Sequence, residues 1–166
     1  MKYKEETTID DLFFILNHLE LHYINYWVEG GWGVDIIIGK QHCTHRDIDI
    51  DFDGAYEKGL IESLIMKGYQ ITSDLRPTRI ELNHPLHGYL DLHPLRIGSD
   101  GTIKQASLDG GWYEFDPKWF SKALFQRRTI PCYSHEAQKL FHTGYEFREV
   151  DRIDLKNLND FCNMKK

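Results

Sequence analysis

The chain has 166 residues, of which 41% are apolar and 28% charged, and its 26 acidic and 20 basic residues give a formal charge of −6. This length supports one well-buried core and is short for two full-sized domains, and the composition excludes a disordered or fibrous protein. The acidic balance argues against a general nucleic-acid binder, whose affinity for phosphate backbones rests on excess Lys and Arg. A nucleotide arriving with its own divalent cation stays compatible.

The opening MKYKEETTIDDLFF lacks the uninterrupted apolar stretch of a signal peptide, and no run of about 18 apolar residues occurs. The expectation is a cytoplasmic protein without a membrane partner. Thr8 then precedes Leu12, Ile15, Leu16 and Leu19, the spacing of an amphipathic helix with Thr8 as N-cap. Tyr26-Trp27-Val28 reads as a strand running into a tight turn at Gly30-Gly31, with a short helix ending at Gly39. In THRDIDIDFDG, Ile48, Ile50 and Phe52 alternate with Asp47, Asp49, Asp51 and Asp53, a strand with one face toward the core and carboxylates on the other.

From Tyr56 to Lys67, Leu60, Ile61, Leu64 and Ile65 predict a helix, with Gly68 as its C-cap. Residues 78–83 and 89–93, joined by HPLHG, predict a hairpin whose second strand turns Leu90 and Leu92 inward and Tyr89, Asp91 and His93 toward the face of the Asps. Beyond Ala106 the pattern loosens. Asp116-Pro117 suggests a helix start, Ser134 a helix through Phe141 ending near Gly144, and Val150 to Phe161 a last helix. The division expected is a catalytic core over 1–105 and a short, helical C-terminal extension over 106–166.

Like charges on one strand face raise one another's pKa, so the cluster needs a positive neighbour. A calcium loop fails as an explanation, because Leu60 stands where the twelfth-position Glu should be. A solvated face balanced by Arg46, Lys40 or Arg79 is the bland alternative. Three features compound against it: the Gly-Gly turn after a strand, the DxDxD strand, and Asp91 on a later strand. Together they supply hard oxygen ligands for Mg²⁺ and a turn whose N–H groups can approach a triphosphate. His42-x-x-His45 and His84-x-x-His87 have ligand-like spacing but lie in expected loops without a matching Cys or acid pattern, and Cys43, Cys132 and Cys162 are widely spaced without a CxxC pair.

At these residues the sequence resembles a known family. WVEGGW followed by RDIDI resembles the signature of the DNA polymerase β-like nucleotidyltransferases, with Asp91 in YLDLHPL as their third acid. EGGWGVD, HRDIDIDF and GYLDLHPL, continuing through GGWYEF, RRTIPCYSHEAQKLFHTGY and DLKNL, are similar to the small lincosamide nucleotidyltransferases and, as an alternative, to one aminoglycoside group. One departure is the 15-residue gap, 32–46, between Gly31 and Asp47, long for the superfamily.

The resemblance implies a mixed α/β (α+β) nucleotidyltransferase fold, a sheet flanked by helices. Its implied reaction moves a nucleoside monophosphate from an NTP such as ATP or GTP to a hydroxyl of the antibiotic. It implies Asp47 and Asp49 as Mg²⁺ ligands and Asp91 as third ligand or general base. Gly30 and Gly31 form the triphosphate-facing turn, with Trp32 and Arg46 as nucleotide contacts, and His93, Trp112, Tyr113 and Tyr145 are the drug-pocket candidates. A homodimer is also implied. A fold-mate that binds nucleotide or protein without catalysis is the alternative from another class.

Overall fold

The computed structural model describes residues 3–141. Helix α1 (Ile9–Leu21) starts as its sequence requires: the Thr8 hydroxyl accepts from the Asp11 N–H, and the Asp11 carboxylate accepts from the Thr8 N–H at 2.8 Å. Its stripe of Leu12, Ile15, Leu16 and Leu19 is fully buried. Strand β1 (Tyr26–Glu29) enters α2 (Gly30–Ile38) directly, and Gly39 closes that helix in the left-handed conformation, φ 86°. Next come β2 (Asp47–Asp53), a single 3-10 turn, α3 (Glu57–Met66) and β3 (Gln70–Leu75). The expected hairpin is β4 (Arg79–His84) with β5 (Gly88–Ile97). Four further strands, β6 (Ile103–Ala106), β7 (Trp112–Phe115), β8 (Phe120–Phe125) and β9 (Arg128–Tyr133), precede α4 (His135–Phe141).

The nine strands form one mixed sheet in the order β3-β4-β5-β2-β1-β9-β8, with β6 paired to the end of β5 and β7 to β6. Val28, Ile48, Ile50, Phe52, Ile80, Leu82, Leu90 and Leu92 join the buried stripes of α1, α2 and α3 in the main core. The opposite face of the central strands is therefore left to polar side chains. A smaller aromatic cluster, Phe115 and Tyr133 with Trp119, Phe120 and Phe141, packs separately from that core.

Two expectations need correction. A boundary at 105/106 cuts through β6, and β9 pairs with β1 and carries β8 at the sheet's edge, so residues 106–141 are built into the main sheet rather than appended as helix. Asp116-Pro117 makes only a 3-10 turn, the Asp116 carboxylate accepting from the Lys118 N–H at 2.9 Å before β8 begins. Ser134 does cap α4, its hydroxyl accepting from the Ala137 N–H at 3.3 Å. The helix expected from Val150 to Phe161 and the end near Gly144 lie outside the described residues, as do Tyr145 and Cys162. No helix among the described residues is long and apolar enough to cross a membrane.

Candidate active site

Strand register makes the site. β2 runs parallel to β5 with Asp49 opposite Asp91, antiparallel to β1 with Asp49 opposite Glu29, and β4 places Glu81 opposite Asp91. Partners in register share a face, so Glu81, Asp91, Asp49 and Glu29 form a row of carboxylates across four adjacent strands. Asp47 lies one strand period to one side of this row and Asp51 to the other. His93, the register partner of Asp51, reaches back with Nε2 3.8 Å from Asp49 and 3.6 Å from Asp91.

The electrostatics follow from burying acids side by side. Burial, then the charges of Asp49 and Asp91, pushes the Asp47 carboxyl up to about 7. Burial raises Asp49 and Asp51 above the usual carboxylate range, and Glu29 goes well above it through burial and the Asp51 charge. Burial also acts upward on Asp91, but His93 and the Arg79 guanidinium, donating at 2.7 Å, outweigh it and hold Asp91 below its ordinary value. For His93 burial favours the neutral ring, yet the facing carboxylates win and hold it well above its usual value as an imidazolium. Its Nδ1 lies 3.1 Å from the nitrogen of the Gln105 side-chain amide.

The turn ahead of this row is shaped for close approach. Gly30 has φ +66°, and a Cβ there would overlap the Asp49 carboxylate, its Cγ only 3.0 Å away. Glu29 occupies the N-cap of α2 without a side-chain cap hydrogen bond, and the first turn carries no acid. Such an uncapped N-terminus suits an anion.

The donor set fits a hard divalent cation. Asp49 and Asp91 set carboxylate oxygens side by side from register-paired positions of β2 and β5, and Asp91 Oδ1 is buried with no hydrogen-bond partner among the described residues. Carboxylate oxygens of this kind, completed by substrate phosphates, are what Mg²⁺ takes.

Residues 11–158 match the family model described as aminoglycoside-2''-adenylyltransferase. The chain belongs to that family. A lincosamide resistance protein of Staphylococcus haemolyticus is 48% identical over 151 residues, 91% of this chain and 94% of that protein. The crystal structure of lincosamide antibiotic adenylyltransferase LnuA, lincomycin-bound, superposes with a TM-score of 0.89 at 47% identity, covering 94% of this chain and 99% of that one. ANT(2'')-Ia in complex with adenylyl-2''-tobramycin shares the fold at a TM-score of 0.69 and 19% identity, covering 96% and 91%. The resemblance carried by EGGWGVD, HRDIDIDF and GYLDLHPL is thus matched along nearly the whole chain, and the nucleotidyltransferase fold it implied is the fold observed.

Within this adenylyltransferase family member, Asp47, Asp49, Asp91, His93, Gly30 and Gly31 converge at one place. Arg46 stands at the rim, 3.7 Å over the Tyr89 ring and 3.4 Å from both Asp47 and Glu81. Trp32 does not face a nucleotide: it is fully buried on the inner side of α2, its Nε1 donating to Thr7 Oγ1 at 2.9 Å. Trp112 and Tyr113 alternate along β7 and so take opposite faces. Tyr113 pairs in register with Gln105, the neighbour of His93, whereas Trp112 lies under the Arg96 guanidinium at 4.4 Å and lines a different cleft of about 330 Å³ with Asp53 and Pro94.

Glu29, Glu81, Arg79 and Tyr133 were missed as site residues. Glu29 stood in the quoted WVEGGW, and the alternation of β1 against β2 was the signal that could have placed it. Tyr133 donates to the fully buried Asp51 at 2.5 Å, a contact between residues 82 apart in sequence.

Proposed function

We propose that this chain transfers a nucleoside monophosphate from an NTP to a hydroxyl of a lincosamide antibiotic, releasing pyrophosphate and inactivating the drug. The observation that carries the reading is the register pair Asp49–Asp91 on parallel strands in front of the Gly30 turn, in a chain 48% identical to a lincosamide resistance protein. Asp47, Asp49 and Asp91 are the residues that would hold Mg²⁺, which when bound supplies charge neutralisation for the triphosphate and polarises the α-phosphate. The open N–H groups at the start of α2 bind the phosphate chain, with Arg46 at the rim adding a cation. Asp91 accepts the hydrogen of the attacking hydroxyl and aims its oxygen at the α-phosphorus. As the new P–O bond forms, the bond to pyrophosphate breaks in line. His93 and Arg79 hold Asp91 in place, and Tyr113 and His93 face the acceptor.

A second copy covering the open flank of the site completes this reading. It is supported by edge strand β3, which leaves Ile71 and Leu75 exposed, and the sedimentation mass from analytical ultracentrifugation tests it: a dimer is expected, and a monomer would remove it. The carboxylate row would also suit a polycationic acceptor, which keeps an aminoglycoside as the second reading.

Mass spectrometry of lincomycin, clindamycin and kanamycin after incubation with the protein, ATP or GTP, and Mg²⁺ decides between them. A gain of one nucleoside monophosphate on the lincosamides, abolished by EDTA, is expected. Adducts on kanamycin alone would transfer the reading to aminoglycosides, and none on any acceptor would overturn it.

A further inference from the structure

The connection from α2 to β2, residues 39–46, carries a second cluster with different chemistry. Asp35 on α2 is fully buried and takes an imidazole on each oxygen: His42 Nδ1 on Oδ1, and His45 Nε2 on Oδ2 at 2.5 Å. Cys43 Sγ lies 3.9 Å from His45 Nδ1. One ligand atom each from His42, Cys43 and His45 falls within 4.8 Å of the other two.

We propose that His42, Cys43 and His45 form a binding site for a borderline-soft divalent metal of the zinc class, with Asp35 orienting both imidazoles. The donor types decide the metal. Two imidazoles and a thiolate suit zinc and its neighbours, and a thiolate excludes the Mg²⁺ that the hard oxygens of the acid row would take. A carboxylate that holds one nitrogen of each ring directs the other nitrogen of that ring to a metal, which is the usual outer-shell partner of a ligating histidine.

All three ligands come from four consecutive residues, so the loop they close is short and the entropic cost of assembling them is small.

The position gives the ion a mechanical role. His45 packs against the phosphate-facing turn, since its Nδ1–Cε1 edge lies where a Cβ on Gly31 would stand, Nδ1 nearest, and its backbone carbonyl accepts from the Thr7 N–H at 2.7 Å. Asp47 follows His45 by two residues. A metal held here fastens the loop joining the triphosphate turn to the acid strand.

Cobalt(II) titration of the EDTA-stripped protein tests the site. One equivalent is expected to produce near-ultraviolet thiolate-to-cobalt absorption that zinc bleaches on displacement. The band should persist in Asp49→Asn and in Cys162→Ser, and disappear in Cys43→Ser with the circular dichroism unchanged. His42→Gln should weaken zinc binding about tenfold or more in a competition titration. No thiolate band in the wild-type protein, or a band that survives Cys43→Ser, overturns the proposal.

Discussion

Asp51 and Tyr133 are a pair whose partners each lose something definite if separated. The phenol donates at 2.5 Å to a carboxylate that is fully buried and whose other oxygen has no hydrogen-bond partner among the described residues. Tyr133→Phe removes that donor and leaves the acid buried, at a cost of about 1–3 kcal/mol. Denaturant unfolding at constant m-value measures it, and an unchanged midpoint would mean that Asp51 finds another partner. Asp49 is the opposite case. Burial and neighbouring acids disfavour its ionised form, so Asp49→Asn removes a repulsive charge from the metal-free protein. The variant should unfold no earlier than wild type at neutral pH while its turnover falls by about 10²-fold or more. A variant that keeps its rate would remove Asp49 from the proposed metal set.

Helix α2 is the element on which the site depends most. Gly30→Ala would force a side chain into φ +66° and against the Asp49 carboxylate, and a loss of kcat/KM of about tenfold or more is expected with a stability cost above about 1 kcal/mol. Parallel kinetics and melts check it; equal rates would mean that the turn moves freely. Much of this architecture was legible because its causes are local. The cap at Thr8, the Gly-Gly turn, the DxDxD alternation and the β4–β5 hairpin are each written within a few residues. The β8–β9 hairpin was not, since its turn uses Gln126 and Arg127 at φ 50° and 62° in place of the Asn-Gly or Asp-Gly signal, and Pro131 sits inside β9. Trp32 was misplaced for another reason: adjacency to Gly31 in sequence does not give adjacency to ligand, because the helix turns it toward Thr7 and the core. The acid row itself was only half visible, for alternation assigns faces whereas register, which aligns Glu29, Asp49, Asp91 and Glu81, is set by the pairing of distant strands.

For the whole molecule, the acid face links stability to pH and to metal. Asp47 titrates near 7 in the metal-free fold, and Asp49, Asp51 and Glu29 are all raised above ordinary carboxylates. A raised carboxyl binds its proton more tightly folded than unfolded, so each of these groups withdraws stability as pH climbs above its unfolded value near 4, and for Asp47 the loss runs through about 7. Asp91, held low, contributes in the opposite sense: its share is present above its unfolded value near 4 and is lost as pH falls below it. Mg²⁺ competes with the same protons. Its stabilising effect should therefore be small near pH 5.5 and grow to a plateau above about pH 7.5. At a hundredfold excess over Kd the plateau corresponds to about 2.7 kcal/mol, which for a chain of this size is a rise in Tm of roughly 5–10 °C. Melting curves in EDTA and in saturating Mg²⁺ across that range measure the difference, with Asp49→Asn as the variant in which most of it should vanish. A gain that is the same at every pH would separate the metal from these carboxylates and leave the row as a polar face balanced by His93, Arg79 and Arg46 alone.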